Sequence, residues 1–257
     1  MVLLLNSGLI HRPGPFRMHV DLARRLVAMG FSVFRFDLSG IGDSEKHRDN
    51  RPREEQILAD ISEAMDFLSS NLGAKRFVAM GLCTGADNAH KISVRDERVT
   101  GAVFLDGYCY PTPLFYIRRY GAKFFNPMAW LRMARRAATK PDALADQMAS
   151  RRDDREDNYF WNLPPKHQTE SELKALVERG VDMLFVFTNS SEFINYPGQL
   201  RDCMKSIEFG DQLQVEYFDE FEHTYPIMKD RQCLFDVISQ WMRTKYFSSN
   251  ELTGPGI

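Results

Sequence analysis

Short runs of apolar residues alternate along the chain with longer stretches in which apolar residues recur every three or four positions. The short runs predict buried strands and the periodic stretches predict amphipathic helices. We expect strands over residues 2–6, 31–36, 76–80, 99–105, 183–187 and 213–218. We expect helices over residues 16–29, 53–71, 86–92 and 229–246. Repeated strand–helix units predict an α/β fold with a mostly parallel central sheet and helices on both faces.

Residues 107–170 interrupt this alternation. Six aromatic residues lie between Phe115 and Trp130, interleaved with arginines and a lysine, and a charged tract follows at 151–157. We interpret the segment as a helical lid inserted over the sheet, so that 1–106 and 171–257 form the core. The aromatic residues either pack the lid onto the sheet or line an apolar acyl pocket, with the arginines outside.

The composition is that of an ordinary globular protein. The 257 residues are 44% hydrophobic and carry a formal net charge of −2, which gives no indication of nucleic-acid or membrane-surface binding. No apolar run approaches the length needed to span a membrane. The four cysteines are widely spaced without a C-x-x-C pair, so we expect neither a metal nor a cofactor. The apolar residues 2–5 end too early for a signal peptide, and we expect a cytoplasmic protein with reduced thiols.

The most informative motif is Gly81-Leu82-Cys83-Thr84-Gly85, between an apolar strand and a helical segment. A glycine-flanked nucleophile at this position is typical of a nucleophile elbow, the sharp turn that exposes its central side chain. Cys83 would then supply a thiolate once a histidine shares its proton. The other common role of a free cysteine is that of a small buried hydrophobic residue.

A histidine and an acid are expected at the same edge of the sheet. His223 directly follows the last predicted strand, where a general base could face the elbow; otherwise it is an ordinary loop histidine. Glu192 is the only carboxylate in the loop after the strand at 183–187 and is our first choice for the acid. Asp106, which ends the strand at 99–105, is the second choice.

Two backbone N–H groups should stabilise a tetrahedral intermediate. Thr84 would supply one at the start of the elbow helix. Leu9, in the loop after the first strand, would supply the other, with Gly8 permitting a close approach; that loop could equally be a plain turn. Four further side chains are expected to border the substrate: His11, Asp106, Phe115 and Tyr116.

On these residues the chain resembles the α/β-hydrolase superfamily. The resemblance rests on the elbow at 81–85, on Glu222-His223-Thr224, and on the turn at 37–44, which matches D-x-R-G-x-G-x-S except that Ser39 replaces the arginine. More narrowly, residues 6–12 and the elbow resemble poorly characterised bacterial hydrolases found near exopolysaccharide genes. The resemblance implies the α/β-hydrolase fold and a Cys-His-acid triad, and it equates the first strand here with the third strand of the superfamily.

Three functions remain open. The first is hydrolysis of a small-molecule carboxylic ester or thioester through an acyl-cysteine. The second is transfer of the acyl group to an alcohol, an amine or a carrier thiol through the same intermediate. The acyl substrate could itself arrive on an acidic carrier, such as coenzyme A or an acyl carrier protein, that meets the arginines of the lid. The third is a hydrolase-like scaffold that binds a ligand or partner without catalysis. Neither nucleic acid nor a membrane span is expected, and the sequence gives no indication of oligomeric state.

Overall fold

A computed structural model of the chain describes residues 1–47, 50–124, 163–189 and 193–247. Its strands are β1 (Val2–Leu4), β2 (Val33–Arg35), β3 (Phe77–Leu82), β4 (Val99–Leu105), β5 (Asp182–Thr188) and β6 (Leu213–Phe218). Its helices are α1 (Met18–Ala28), α2 (Arg53–Leu72), α3 (Thr84–Arg95), α4 (Pro113–Phe124), α5 (Lys166–Glu178), α6 (Gln199–Cys203) and α7 (Met228–Tyr246). A 3₁₀ turn over Pro15–Arg17 precedes α1.

The six strands form one sheet in the order β2-β1-β3-β4-β5-β6, and every neighbouring pair is parallel. The predicted α/β architecture is therefore confirmed. Because β1 pairs with β2 on one side and β3 on the other, the chain changes direction across the sheet between β1 and β3. The loops that leave these two strands diverge there, which creates the crevice in which open α/β sheets bind ligands.

Alternating side chains of the strands face two separate cores. Leu3 and Ala79 point to the face covered by α2, α3 and α5, whereas Val2 and Val78 point to the face covered by α1 and α7. All four side chains are essentially buried. A strand that is apolar at every position is the pattern expected when helices cover both faces of a parallel sheet. The strand ends, and the loops that follow them, are thereby held on a rigid scaffold.

The element boundaries agree closely with expectation in the core. The strands predicted over 99–105 and 213–218 are confirmed residue for residue. Helix α1 begins later than the predicted residue 16, because Phe16 and Arg17 adopt φ values of 48° and 64°, outside the helical range. The short helix α6 lacks the periodic pattern needed for prediction.

The predicted lid lies partly within the described structure. Helix α4 belongs to it, and α5 begins inside its C-terminal boundary. Helix α5 packs on the core through Thr169, which is 1% exposed, and through a 2.7 Å contact between His90 Nε2 and Glu172 Oε2. Residues 125–162 lie outside the described residues, so the lid and its boundaries stay a prediction. None of the described helices is both long and apolar enough to cross a membrane.

Candidate active site

Cys83 lies in a sharp turn between the end of β3 and the start of α3. Its backbone has φ 57° and ψ −118°, a conformation that a residue with a side chain rarely adopts. The Cys83 N–H donates to the Leu105 carbonyl at 3.0 Å, which fastens the turn to β4. The thiol is half-buried at the strand C-termini. The structure therefore has the sharp strand-to-helix turn that the motif predicts.

The two glycines of the motif are explained by close backbone packing. A Cβ on Gly81 would lie 2.2 Å from the carbonyl carbon and oxygen of Gly85. A Cβ on Gly85 would lie 2.6 Å from the carbonyl oxygen of Asn6, at the end of β1. Neither contact could accept a side chain without moving backbone atoms, so the elbow presses directly against β1.

The loop after β1 is bonded to the elbow. The Ser7 hydroxyl donates to the Leu82 carbonyl at 2.9 Å, and the Gly8 N–H donates to the Thr84 hydroxyl oxygen at 2.6 Å. The Gly8 N–H is therefore already bonded, so Gly8 contributes to the loop conformation and does not offer a donor to an oxyanion. Among the described residues we find no acceptor for the Leu9 N–H. The Thr84 N–H, at the first position of α3, has no acceptor within the helix.

The buried carboxylate of Asp37 supports this loop through hydrogen bonds. Asp37 accepts hydrogen bonds from the Arg12 N–H at 2.5 Å, the Arg12 guanidinium at 2.5 Å and the Asn6 side chain at 3.1 Å. Asn6 also donates to the Ile10 carbonyl at 3.0 Å. Burial alone would raise the pKa of Asp37, but these donors outweigh it and lower that pKa. The carboxylate thus holds both ends of the segment that contains Leu9.

His223 lies after β6 and contacts Asp106. The Nδ1 atom of His223 lies 2.6 Å from Asp106 Oδ2. Asp106 also accepts the Thr188 N–H at 2.7 Å on Oδ1 and the Thr188 hydroxyl at 2.9 Å on Oδ2. These three donors hold a carboxylate whose side chain is 2% exposed. Because both oxygens are engaged, Asp106 lies behind the imidazole and is better suited to orient it than to contact substrate.

The pKa of His223 depends on both Asp106 and Cys83. Hydrogen bonds to Asp106 and to Cys83 raise the pKa of His223 from its ordinary 6.5 to about 10, and burial opposes them. A raised histidine pKa means that the site stabilises the imidazolium form.

The other residues named from sequence have different surroundings. Glu192 lies outside the described residues. His11 and Tyr116 are exposed to solvent, and Tyr116 contacts Phe115 edge-to-face with ring centroids 5.5 Å apart. Phe115 is 4% exposed, so its ring packs against the interior. Within the described part of the chain, no cluster of His, Cys, Asp and Glu could hold a metal ion.

Comparison with known proteins places this geometry in a family. The profile of the Hydrolase_4 family, described as serine aminopeptidase, S33, matches residues 4–181, which is more than half of the chain. The chain belongs to the Hydrolase_4 family. The matched region contains the elbow, the loop after β1 and Asp106. No curated protein matches the chain.

Solved structures show the same fold. GrgF, an α/β-hydrolase from Penicillium sp. sh18, is 14% identical over 95% of this chain and 89% of its own, with a TM-score of 0.58. The esterase Pf2001 from Pyrococcus furiosus is 15% identical over 95% and 82%, with a TM-score of 0.56. An esterase from Thermogutta terrifontis is 20% identical over 95% and 89%, with a TM-score of 0.51. At these identities the similarity establishes the α/β-hydrolase fold.

The family description names a serine enzyme, whereas the central residue of the elbow in this Hydrolase_4 member is Cys83. Ser39 replaces the arginine of the superfamily turn, and its N–H and hydroxyl both bind Asp60, at 2.7 and 2.9 Å. Sequence reasoning missed the supports around the site, Thr188 and Asp37 among them. Thr188 offers no motif, although its place at the end of β5, beside β4, could have indicated a partner for Asp106.

Proposed function

We propose that this protein hydrolyses a carboxylic ester or thioester through an acyl-Cys83 intermediate, with His223 as general acid–base and Asp106 as the orienting acid. The observations that carry the proposal are the 2.6 Å contact between His223 Nδ1 and Asp106 Oδ2, and an interaction with Cys83 that helps to raise the pKa of the same imidazole. The proposed nucleophile stands on a strained elbow, and the proposed acid is fixed by Thr188.

The arrangement supports a two-step reaction. The Cys83 thiolate attacks the carbonyl carbon, and the carbonyl oxygen takes the negative charge, opposite the N–H groups of Thr84 and Leu9. The His223 imidazolium then gives its proton to the leaving oxygen or sulfur, which departs as an alcohol or thiol. Water attacks the acyl-thiol while neutral His223 removes its proton. Collapse releases the carboxylic acid and restores the thiolate–imidazolium pair.

The proposal is tested with a substrate panel and one matched variant. We expect p-nitrophenyl esters or acyl thioesters to be cleaved by the wild type. Cys83→Ala should abolish cleavage and leave the circular dichroism spectrum unchanged, because this half-buried thiol contributes little to packing. Full activity in Cys83→Ala would refute the covalent mechanism. An aminoacyl p-nitroanilide tests the amide cleavage that the family description suggests, and acyl release only after an acceptor is added would indicate a transferase.

Two arginines support a narrower version in which the acyl group arrives on an acidic carrier. Arg118 and Arg119 are exposed on α4, where they lie over the rings of Tyr196 and Phe115 at 6.0 and 5.6 Å. Attraction between exposed charges is screened by salt. For a coenzyme A thioester, kcat/KM should fall as salt rises, whereas that for a small neutral ester should not. Equal responses would refute carrier recognition.

We also propose that the enzyme works in a reducing compartment such as the cytoplasm. Its four cysteines are unpaired, and a thiolate nucleophile needs to stay reduced. Turnover should therefore be reversibly lost on mild oxidation and restored by a dithiol. Activity that is insensitive to oxidation of Cys83 would contradict this placement.

A further inference from the structure

The loop that carries His223, residues 219–227, is held at its end by a single guanidinium. Arg231, in the first turns of α7, is 9% exposed. Its Nη1 donates to the Tyr225 carbonyl at 2.7 Å and to the Pro226 carbonyl at 2.8 Å. We find no carboxylate paired with it among the described residues. A nearly buried guanidinium whose Nη1 donates to two successive loop carbonyls is well placed to hold the loop backbone.

The loop needs such support because its own conformation is unfavourable. Tyr225 has a φ of 51°, which is uncommon for an aromatic residue, and it precedes a proline, which restricts its backbone further. Its side chain is fully buried, and its hydroxyl has no partner in the described structure. Ile227, at the N-terminus of α7, supplies no side-chain cap. The turn back into α7 therefore depends on donors from outside the loop.

Arg231 also contacts the connection that follows β1. Its guanidinium lies 5.8 Å from the centroid of the Phe16 ring. Phe16 belongs to the connection between β1 and α1, the connection that also contains Leu9, and it has a positive φ of 48°. A planar guanidinium can stack on a ring and donate to two carbonyls at once, whereas an ammonium cannot stack in this way.

We propose that Arg231 is a positioning residue for His223: it fixes the loop backbone so that the imidazole reaches Asp106 and Cys83 together. The inference takes the role of His223 from the proposed function. It adds that Arg231, on α7, aligns the imidazole by holding the carbonyls of Tyr225 and Pro226. Arg231 itself contacts neither substrate nor the reacting atoms.

The test uses Arg231→Met, which keeps the aliphatic stem, and Arg231→Lys, which keeps the charge on a single donor nitrogen but loses the planar guanidinium. Arg25→Met is the matched control, because Arg25 pairs with Asp236 and so joins α1 to α7 without touching the loop. The readout is the rate of Cys83 alkylation by iodoacetamide against pH, which requires no substrate. His223 is titrated by NMR in the same variants and assigned with His223→Ala.

We expect Arg231→Met to slow alkylation at pH 6 by about tenfold, the change in thiolate fraction that one pKa unit produces. Its rate should converge on that of the wild type near pH 10, and the NMR midpoint of His223 should fall. Arg231→Lys should lie between the two, and Arg25→Met should match the wild type. Millimolar guanidinium should restore alkylation at pH 6 in Arg231→Ala.

Several outcomes would overturn the inference. In a folded Arg231→Met, an unchanged alkylation profile and an unchanged His223 midpoint would show that the arginine only stabilises the fold. An equal change in Arg25→Met would point to general loosening of α7. If Arg231→Met fails to fold, the test rests on Arg231→Lys and on guanidinium rescue of Arg231→Ala. A wild-type alkylation profile in Arg231→Lys, together with no rescue by guanidinium, would refute positioning. Failure of the proposed function is distinguishable, because it appears as wild-type inactivity or as unchanged alkylation in His223→Ala.

Discussion

Replacing Asp106 by asparagine would test the acid of the proposed triad at the level of single hydrogen bonds. The carboxylate accepts three: the Thr188 N–H on Oδ1, and the Thr188 hydroxyl and His223 Nδ1 on Oδ2. An asparagine has one acceptor oxygen and one donor nitrogen. If its oxygen keeps the Thr188 N–H, its amide nitrogen must face His223. The imidazole then carries its proton on Nε2 and presents it to Cys83, so it cannot act as a base.

The expected cost follows from this geometry. The wrong tautomer, together with loss of the charge that favours the imidazolium, should lower kcat, and with it kcat/KM, by about 10⁴-fold, the loss in kcat found when an orienting aspartate is neutralised in a serine protease triad. Asp106 is also the largest cause of the raised His223 pKa, so that pKa should fall toward 6.5. Mismatched buried hydrogen bonds should cost about 1–3 kcal/mol of stability.

The assay compares kcat/KM, iodoacetamide alkylation of Cys83 and urea unfolding in Asp106→Asn and Glu192→Gln. Glu192→Gln is the matched variant, because the sequence analysis favours Glu192 over Asp106 as the acid of the triad. We expect Asp106→Asn to be the more damaging by at least two orders of magnitude. Near-wild-type turnover in Asp106→Asn, or a larger loss in Glu192→Gln, would refute the assignment.

Four further predictions follow from contacts around the site. Cys83→Ser should retain the fold and show a changed ratio of ester to thioester turnover, because serine needs more help from the base; an unchanged ratio would contradict this. Asp37→Asn should lower kcat more than it raises KM, since it loosens the loop that carries the Leu9 N–H; a change in KM alone would contradict this. Gly85→Ala should lower the melting temperature, measured by differential scanning calorimetry, because its Cβ would lie 2.6 Å from a backbone oxygen; an unchanged melting temperature would refute the packing argument. The pKa of His223 is raised to about 10, so its stabilisation is complete below pH 6.5 and is lost as pH rises through 10; the difference in urea unfolding between wild type and His223→Gln should shrink over that range, and a constant difference would contradict it.

The core of the fold was predictable because its signals are local. A strand such as β4 is buried at every position except Thr100 and is bounded by the polar residues Arg98 and Asp106, so its limits follow from the sequence. The elbow was predictable because both glycines and the central cysteine stand in one short motif, although only the Gly81–Gly85 contact is local and Gly85 is constrained by the distant Asn6 carbonyl. The start of α1 was not, since nothing in the local pattern indicates the positive φ of Phe16.

The acid shows where sequence reasoning reaches its limit. Glu192 and Asp106 both follow strands next to one another in the sheet, and sequence distance does not decide which carboxylate meets the imidazole. What distinguishes Asp106 in the structure is the donor pair of Thr188, a residue 82 positions away. Supports of this kind, like the Arg231 contacts to the histidine loop, depend on packing between distant elements and leave no motif.

The central claim, that Cys83 carries the acyl group, is tested most directly by trapping the intermediate. Wild-type protein is mixed with a p-nitrophenyl ester, quenched in acid during turnover, digested and measured by mass spectrometry. The account predicts an added acyl mass on the peptide that contains Cys83, formed as fast as the first p-nitrophenol is released and absent in Cys83→Ala. Turnover with no acyl mass on Cys83, or with the mass on another residue, would contradict it.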